Sequence, residues 1–456
     1  MTTRKQWSRR DFLRASLASA TGLATTGSAL GFLNAAQAAA VSTSTTDYKA
    51  LVCIFLSGGN DGYNMLIPTD AKRYPIYTTA RGSLALPLSS LINLNGATAT
   101  ASYAMPNQAD GLASLYNANK LAFVANVGTL LQPTTKKMYL ANTSLPDQLY
   151  SHSDQSAQAM SGQPDAVQRT GWGGRLADLL ASHNTGVLPL GVSLVGDNLF
   201  QLGTTAIPYY LGYWGVNRFS VISTDPKELR TKAFNKLLAL ASADTQFMRS
   251  QLAKSVQSTI SLTDTLINGL AKSSAGSGIW PGTGLAQQLQ MIAKLISIRQ
   301  SLGMSRQVFF VTHYGYDTHS NQLGQHATLM NELSDALSSF HGALDQLGVG
   351  NAVTSFTLSD FGRTLTSNGD GTDHAWGNVQ LVAGGAVLGG QVYGKFPNQT
   401  IDGPDDASYG RLIPTTSIDQ LGATLASWFG ADTAAVASIF PNLSRFSSAN
   451  LGFMKT

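Results

Sequence analysis

The 456-residue sequence predicts an α/β fold: a mostly parallel sheet with helices on both faces. Three observations predict it. Short, nearly continuous apolar runs recur along the chain, longer stretches between them carry apolar residues at helical spacing, and acids, histidines and glycines gather at the ends of the runs.

The first run, 49–56, ends in Ser57-Gly58-Gly59-Asn60-Asp61-Gly62 and predicts a buried central strand entering a tight turn. Further strands are predicted at 121–127, 307–312, 352–358 and 379–383. Leu285, Leu289, Ile292, Leu295 and Ile298 predict a helix over 284–302; Leu329, Leu333, Leu337, Phe340 and Leu344 predict another over 323–347. A short helical tail is expected at 418–429. Residues 80–104, rich in Ser, Thr, Ala and Asn, read as a surface excursion, and 273–284 as a linker or lid. Gly171-Trp172-Gly173-Gly174-Arg175 reads as a turn and helix start. No internal repeat interrupts the pattern, so residues 39–456 are expected to form one domain.

Residues 1–38 read as an export signal. Ser8-Arg9-Arg10-Asp11-Phe12-Leu13 carries the paired arginines of the twin-arginine (Tat) route, a weakly apolar stretch follows, and Ala36-Gln37-Ala38 fits a cleavage site. A periplasmic or extracellular location is expected, with the Tat translocase as the export partner. The segment holds Arg4, Lys5, Arg9, Arg10 and Arg14 against Asp11, so of 30 basic and 26 acidic residues the remainder keeps 25 of each. That balance argues against a nucleic-acid partner. Beyond the signal no apolar run is long enough for a membrane span. Cys53 is the single cysteine, which excludes an intrachain disulfide and a thiolate metal cluster.

In open α/β sheets ligands bind beyond the carboxyl ends of the strands. Asp61 follows the first strand, Asp317 and His319 follow the third, Asp360 and Arg363 follow the fourth, and Asp373 and His374 precede the fifth. Such a set suits a divalent cation held by mixed oxygen and nitrogen ligands: zinc, manganese or magnesium rather than calcium. Arg363 suits an anionic ester group or a pairing with Asp360. Ser151, His152 and Ser153 enter a predicted helix, where a nucleophilic serine, a metal-binding histidine and a capping serine all fit.

Together Phe55-Leu56-Ser57-Gly58-Gly59-Asn60-Asp61-Gly62-Tyr63-Asn64, Tyr316-Asp317-Thr318-His319, Ser359-Asp360-Phe361-Gly362-Arg363-Thr364 and Gly371-Thr372-Asp373-His374 resemble the exported bacterial family catalogued as domain of unknown function 1501. That family looks like a distant branch of the alkaline phosphatase/sulfatase superfamily. The resemblance implies an alkaline phosphatase/sulfatase-like α/β fold with metal ligands at Asp61, Asp317, His319, Asp360 and His374. It also implies a metal-dependent hydrolase of phosphate or sulfate esters. Two departures stand out: Phe361 follows Asp360 where the superfamily often has histidine, and the nucleophile position, counted back from Gly162, falls on His152. The alternative is a non-catalytic envelope or extracellular binding or assembly protein that keeps the fold.

Overall fold

The computed structural model describes residues 47–96 and 102–455, apart from 217, 220, 221, 224, 226, 276, 277 and 279. The expected signal, with its cleavage site, lies outside the described residues, as do parts of the stretches read as an excursion and a linker. The described chain divides into two compact units. The smaller comprises Thr185–Val187 and Asn217–Thr265; the larger comprises Ser44–Asn184, Leu188–Val216 and Leu266–Thr456.

The strands, in chain order, are β1 (Lys49–Ser57), β2 (Ile67–Pro68), β3 (Leu91–Asn93), β4 (Tyr103–Pro106), β5 (Leu121–Gly128), β6 (Gly191–Ser193), β7 (Tyr209–Tyr210), β8 (Arg306–Tyr314), β9 (Val353–Ser359), β10 (Asn378–Ala383), β11 (Val392–Tyr393) and β12 (Thr416–Ser417). The helices are α1 (Gly62–Met65), α2 (Arg73–Arg81), α3 (Asp110–Asn117), α4 (Lys136–Leu140), α5 (His152–Ser161), α6 (Trp172–Leu180), α7 (Leu229–Ser242), α8 (Phe247–Lys272), α9 (Gly284–Ser297), α10 (Gln322–Gln346), α11 (Ile418–Phe429) and α12 (Thr433–Ile439).

The main sheet runs β11-β5-β10-β9-β1-β8-β6-β7, with β12 also on β5. β1 is central and pairs in parallel with β8 and β9. Its residues Ala50 to Leu56 are buried on both faces, which is why the run is apolar without alternation. β10 runs antiparallel to both β5 and β9. Its start therefore meets the carboxyl ends of β1, β8 and β9 at one edge, and that edge carries the candidate site.

Leu51, Cys53 and Phe55 on one face of β1 share a core with Trp172 and Leu176 of α6, Leu421 and Leu425 of α11, and Phe440. Burial pushes the Cys53 thiol well up, so it packs as a small apolar side chain. Gln288 of α9 bonds both main-chain groups of Thr312 on β8, each at 3.1 Å. Gly173 of α6 lies against Phe200, whose ring would stand 2.6 Å from an added Cβ. The turn-and-helix-start reading of that glycine-rich stretch holds, and the glycines permit the close packing.

Residues 80–104 differ from the sequence expectation. β3 and β4 join β2 in a three-stranded antiparallel sheet, and Arg81, which ends α2, is fully buried. Strands of three or four residues are too short to show their period in sequence.

In the smaller unit, the Glu228 side chain caps α7 at the Thr231 amide, 2.9 Å away, and Ser250 of α8 bonds the Ser242 carbonyl at 2.7 Å. No helix among the described residues is long and apolar enough to cross a membrane.

Candidate metal centre

Four turns deliver the site. Gly58, after β1, has φ +118°, a value glycine adopts without strain, and an added Cβ would collide with the Asp317 main-chain nitrogen. That contact lets the turns after β1 and β8 pack together. Arg363 and His374 face each other across an isolated antiparallel bridge between the turn after β9 and the approach to β10. α5 enters beside them, with Ser151 as its cap.

Asp317 is the hub. Its Oδ1 lies 2.9 Å from Arg363 Nη1, 3.1 Å from His319 Nε2 and 3.3 Å from His374 Nε2; its Oδ2 lies 3.5 Å from His152 Nε2. Partial burial raises this carboxyl, but the charges of Arg363 and His319 outweigh burial and hold it below the usual range.

One imidazole has its tautomer fixed by its partner. His374 Nδ1 lies 2.8 Å from the Tyr150 carbonyl, which can only accept, so Nδ1 carries the proton and Nε2 keeps its lone pair. His152 Nδ1 lies 2.5 Å from Asp360 Oδ2, and its Nε2 is buried without a hydrogen-bond partner. Burial lowers the His374 pKa, which favours the neutral ligand form. His319 Nε2 stands 2.9 Å from His374 Nε2. Two ring nitrogens at that distance repel unless a proton or a cation lies between them.

His152, Asp317 and His374 offer ligand atoms all within 4.8 Å of one another, a set suited to a metal ion. A divalent ion with bonds of about 2.0–2.2 Å sets adjacent ligand atoms about 2.8–3.6 Å apart in octahedral or tetrahedral geometry. The imidazole contacts to the two Asp317 oxygens, 3.1 to 3.5 Å, fall in that range.

The sequence-predicted residues sort unevenly. Asp317, His319 and His374 converge as expected, and His152 joins them through Nε2. Asp61 does not: it is buried among Arg81, Gln322 and the Asn64 amide, capping α1 and balancing Arg81. In this structure it forms an ion pair with Arg81 and stands outside the three-residue set. Asp360 gives Oδ2 to His152 and to the Gly58 amide at 3.2 Å, so it orients a donor and stands outside the three-residue set. Burial raises the Asp360 carboxyl against the opposing pull of His152. Asp373 accepts from Asn368 at 2.9 Å and lies 3.4 Å from His319 Nδ1, behind that ring. Ser151 caps α5, Ser153 bonds Asp154 at 3.0 Å, and Arg363 pairs with Asp317 rather than Asp360.

Sequence reading missed three supports. Tyr150 adopts φ 73° and so aims its carbonyl at His374. Arg411 stacks over the Tyr150 ring at 4.9 Å and donates Nε to the His374 carbonyl at 3.0 Å. Phe361 packs its ring against His152 and His374, with centroids at 4.7 and 4.6 Å, and closes one side of the centre. Phe361 stood in a motif and Tyr150 directly precedes the Ser151-His152-Ser153 segment, but nothing in the sequence marks Tyr150 or Arg411 as a support. Beside Asp317, Asp360 and His152 opens a cavity of about 550 Å³, also lined by Ser57, Gly58, Ser153, Ser156 and Gln325.

A mostly parallel α/β sheet with carboxylates and imidazoles converging at the carboxyl ends of its strands defines an α/β protein of the strand-end ligand-binding class. Within it the family is settled: residues 48–438 match "Protein of unknown function (DUF1501)", and the chain belongs to that family. No curated protein sequence matches the chain. Among solved structures the chain is similar to Ps i-CgsB (10% identity, TM-score 0.37, covering 85% of this chain and 73% of that one). It is similar to the PsFucS1 sulfatase from Pseudoalteromonas sp. (11%, 0.35, 90% and 70%). It is also similar to a protein in the alkaline phosphatase superfamily from Vibrio parahaemolyticus (9%, 0.35, 89% and 76%). What the centre does is read from its own side chains.

Proposed function

We propose that the protein is an exported hydrolase of phosphate or sulfate esters that depends on one divalent metal ion, held by His152, Asp317 and His374 with His319 beside them. The observation that carries this is the convergence of possible ligand atoms, with His152 Nε2 and His374 Nε2 both close to the Asp317 carboxylate. When bound, such an ion supplies a Lewis acid for an ester oxygen and makes water a better nucleophile at neutral pH. Nitrogen-rich ligation favours zinc or manganese over magnesium. Phe361 lines the space next to these donors with carbon, which favours a single ion.

The chain's own groups suit an anionic ester. The α5 amino-terminus borders the cavity, and the helix dipole there favours negative charge. Asp360 lines the cavity beside Ser156, and burial raises its carboxyl, which favours the protonated form. It is the group positioned to give a proton to a departing alkoxide. The Ser8-Arg9-Arg10-Asp11-Phe12-Leu13 segment supports export by the Tat route, with catalysis in the periplasm or beyond.

Metal analysis of the purified protein, followed by a panel of phosphomonoesters, phosphodiesters and sulfate esters, tests the proposal. About one equivalent of metal is expected, with turnover lost in His374→Ala while the fold is retained. Less than about a tenth of an equivalent of any divalent metal would sink it. One observation favours a second reading, a metal-binding assembly protein: Ser151 and Ser153 are both engaged with Asp154, which leaves neither hydroxyl free as a nucleophile. A metal-replete protein inert toward every ester would select that reading.

A further inference from the structure

We propose that the helix pair of the smaller unit is a docking surface for a bilayer of anionic lipid. At about 100° per residue, Leu229, Leu237 and Leu240 fall within an arc of about 80° on α7. They are 81%, 62% and 65% exposed, while Thr231 and Leu238, on the opposite face, are buried. α7 thus has an inner face that packs and an outer apolar stripe that meets solvent. The first turns of α8 add exposed Phe247, Met248 and Leu252 directly after the connection. Single exposed leucines are ordinary, but six exposed large apolar residues on two consecutive helices mark an interaction surface.

Charge selects the occupant. Residues 227–254 hold six Lys or Arg and two acids. Lys232 and Lys236 sit along one edge of the stripe and Arg230 along the other, and both lysines are exposed. Among the described residues neither lysine has a carboxylate partner, whereas Arg230 lies 3.7 Å from Glu228 and Arg249 is paired with Asp244 at 2.8 Å. An apolar stripe edged by basic side chains matches the boundary between acyl chains and anionic headgroups: leucines enter the first, lysines meet the phosphates. A two-fold pair of this face with a second copy would set lysines of like charge against one another, which disfavours self-association.

The test is sedimentation of the full-length protein with phosphatidylglycerol/phosphatidylcholine vesicles and with pure phosphatidylcholine vesicles. Two variants accompany it, Leu237→Ser with Leu240→Ser and Lys232→Glu with Lys236→Glu; residues 1–46 are the same in all. The wild type is expected to pellet with the anionic vesicles and to be released by about 0.5 M salt. Each variant should partition about tenfold more weakly. The charge variant alters only exposed side chains, so it decides the matter even where the leucine variant misfolds. Wild-type protein left in the supernatant, or variants that bind like wild type, would overturn the proposal. So would a variant-sensitive dimer that ignores vesicles.

Discussion

Replacing Asp61 by Asn separates a buried ion pair from a metal ligand. Asn keeps the shape of the side chain and a cap acceptor for the Asn64 amide, so helix α1 retains its start. What it removes is the charge opposite Arg81 and the oxygen that accepts from Arg81 and Gln322, and the Asp61 and Arg81 side chains are fully buried. Arg81 also donates to Asn64 Oδ1 at 3.0 Å and to the Thr364 carbonyl at 2.9 Å, so the guanidinium stays hydrogen-bonded but uncompensated. Breaking a buried pair from one side costs about 3–5 kcal/mol, and the remaining hydrogen bonds put this case near the low end, about 3 kcal/mol. For a chain of this size that lowers the melting temperature by about 4 °C. The assay is a thermal melt run beside metal analysis of the same preparations. Metal content should be unchanged, and adding Arg81→Met should recover part of the lost stability, because the orphaned charge goes with it. Loss of metal with an unchanged melt would refute the assignment and return Asp61 to the centre.

Two further perturbations probe the frame. Gly58→Ala forces a Cβ into the Asp317 main chain at φ +118°, so the β8 turn must shift; metal affinity, measured by competition with a chromogenic chelator, should fall about 10–100-fold. His341 is fully buried, and burial lowers its pKa to about 4, against 6.5 unfolded. The unfolded chain then binds the extra proton, so the stability tied to this group is complete above pH 6.5 and is lost as pH falls toward 4. Between pH 7 and 5 the wild type should lose about 2 kcal/mol more than His341→Gln in urea unfolding. Asp419, raised by burial to about 7, acts in the opposite sense in both proteins, so the difference between them isolates His341.

The sequence by itself determined the framework. The run 50–56 is apolar throughout because both faces of the central strand are covered, and that demand is written residue by residue. It also placed Asp317, His319 and His374 at strand ends, since a glycine-rich turn after a buried strand is a local signal. The N-terminal arginine pair belongs with these: it is local, and only the sequence speaks to it.

Tertiary structure decided what each side chain faces. Asp61 and Asp317 look alike as acids after strands, yet Arg81, buried in a stretch that read as surface, claims the first, and three imidazoles surround the second. The antiparallel direction of β10 brings His374 to the same edge as the other strands' ends, and no short run announces its own direction. His152 turns Nε2 toward Asp317 while Asp360, 208 positions away, holds its other nitrogen. Charge pairing and tautomer depend on through-space neighbours within a few ångströms, and a sequence records only neighbours along the chain.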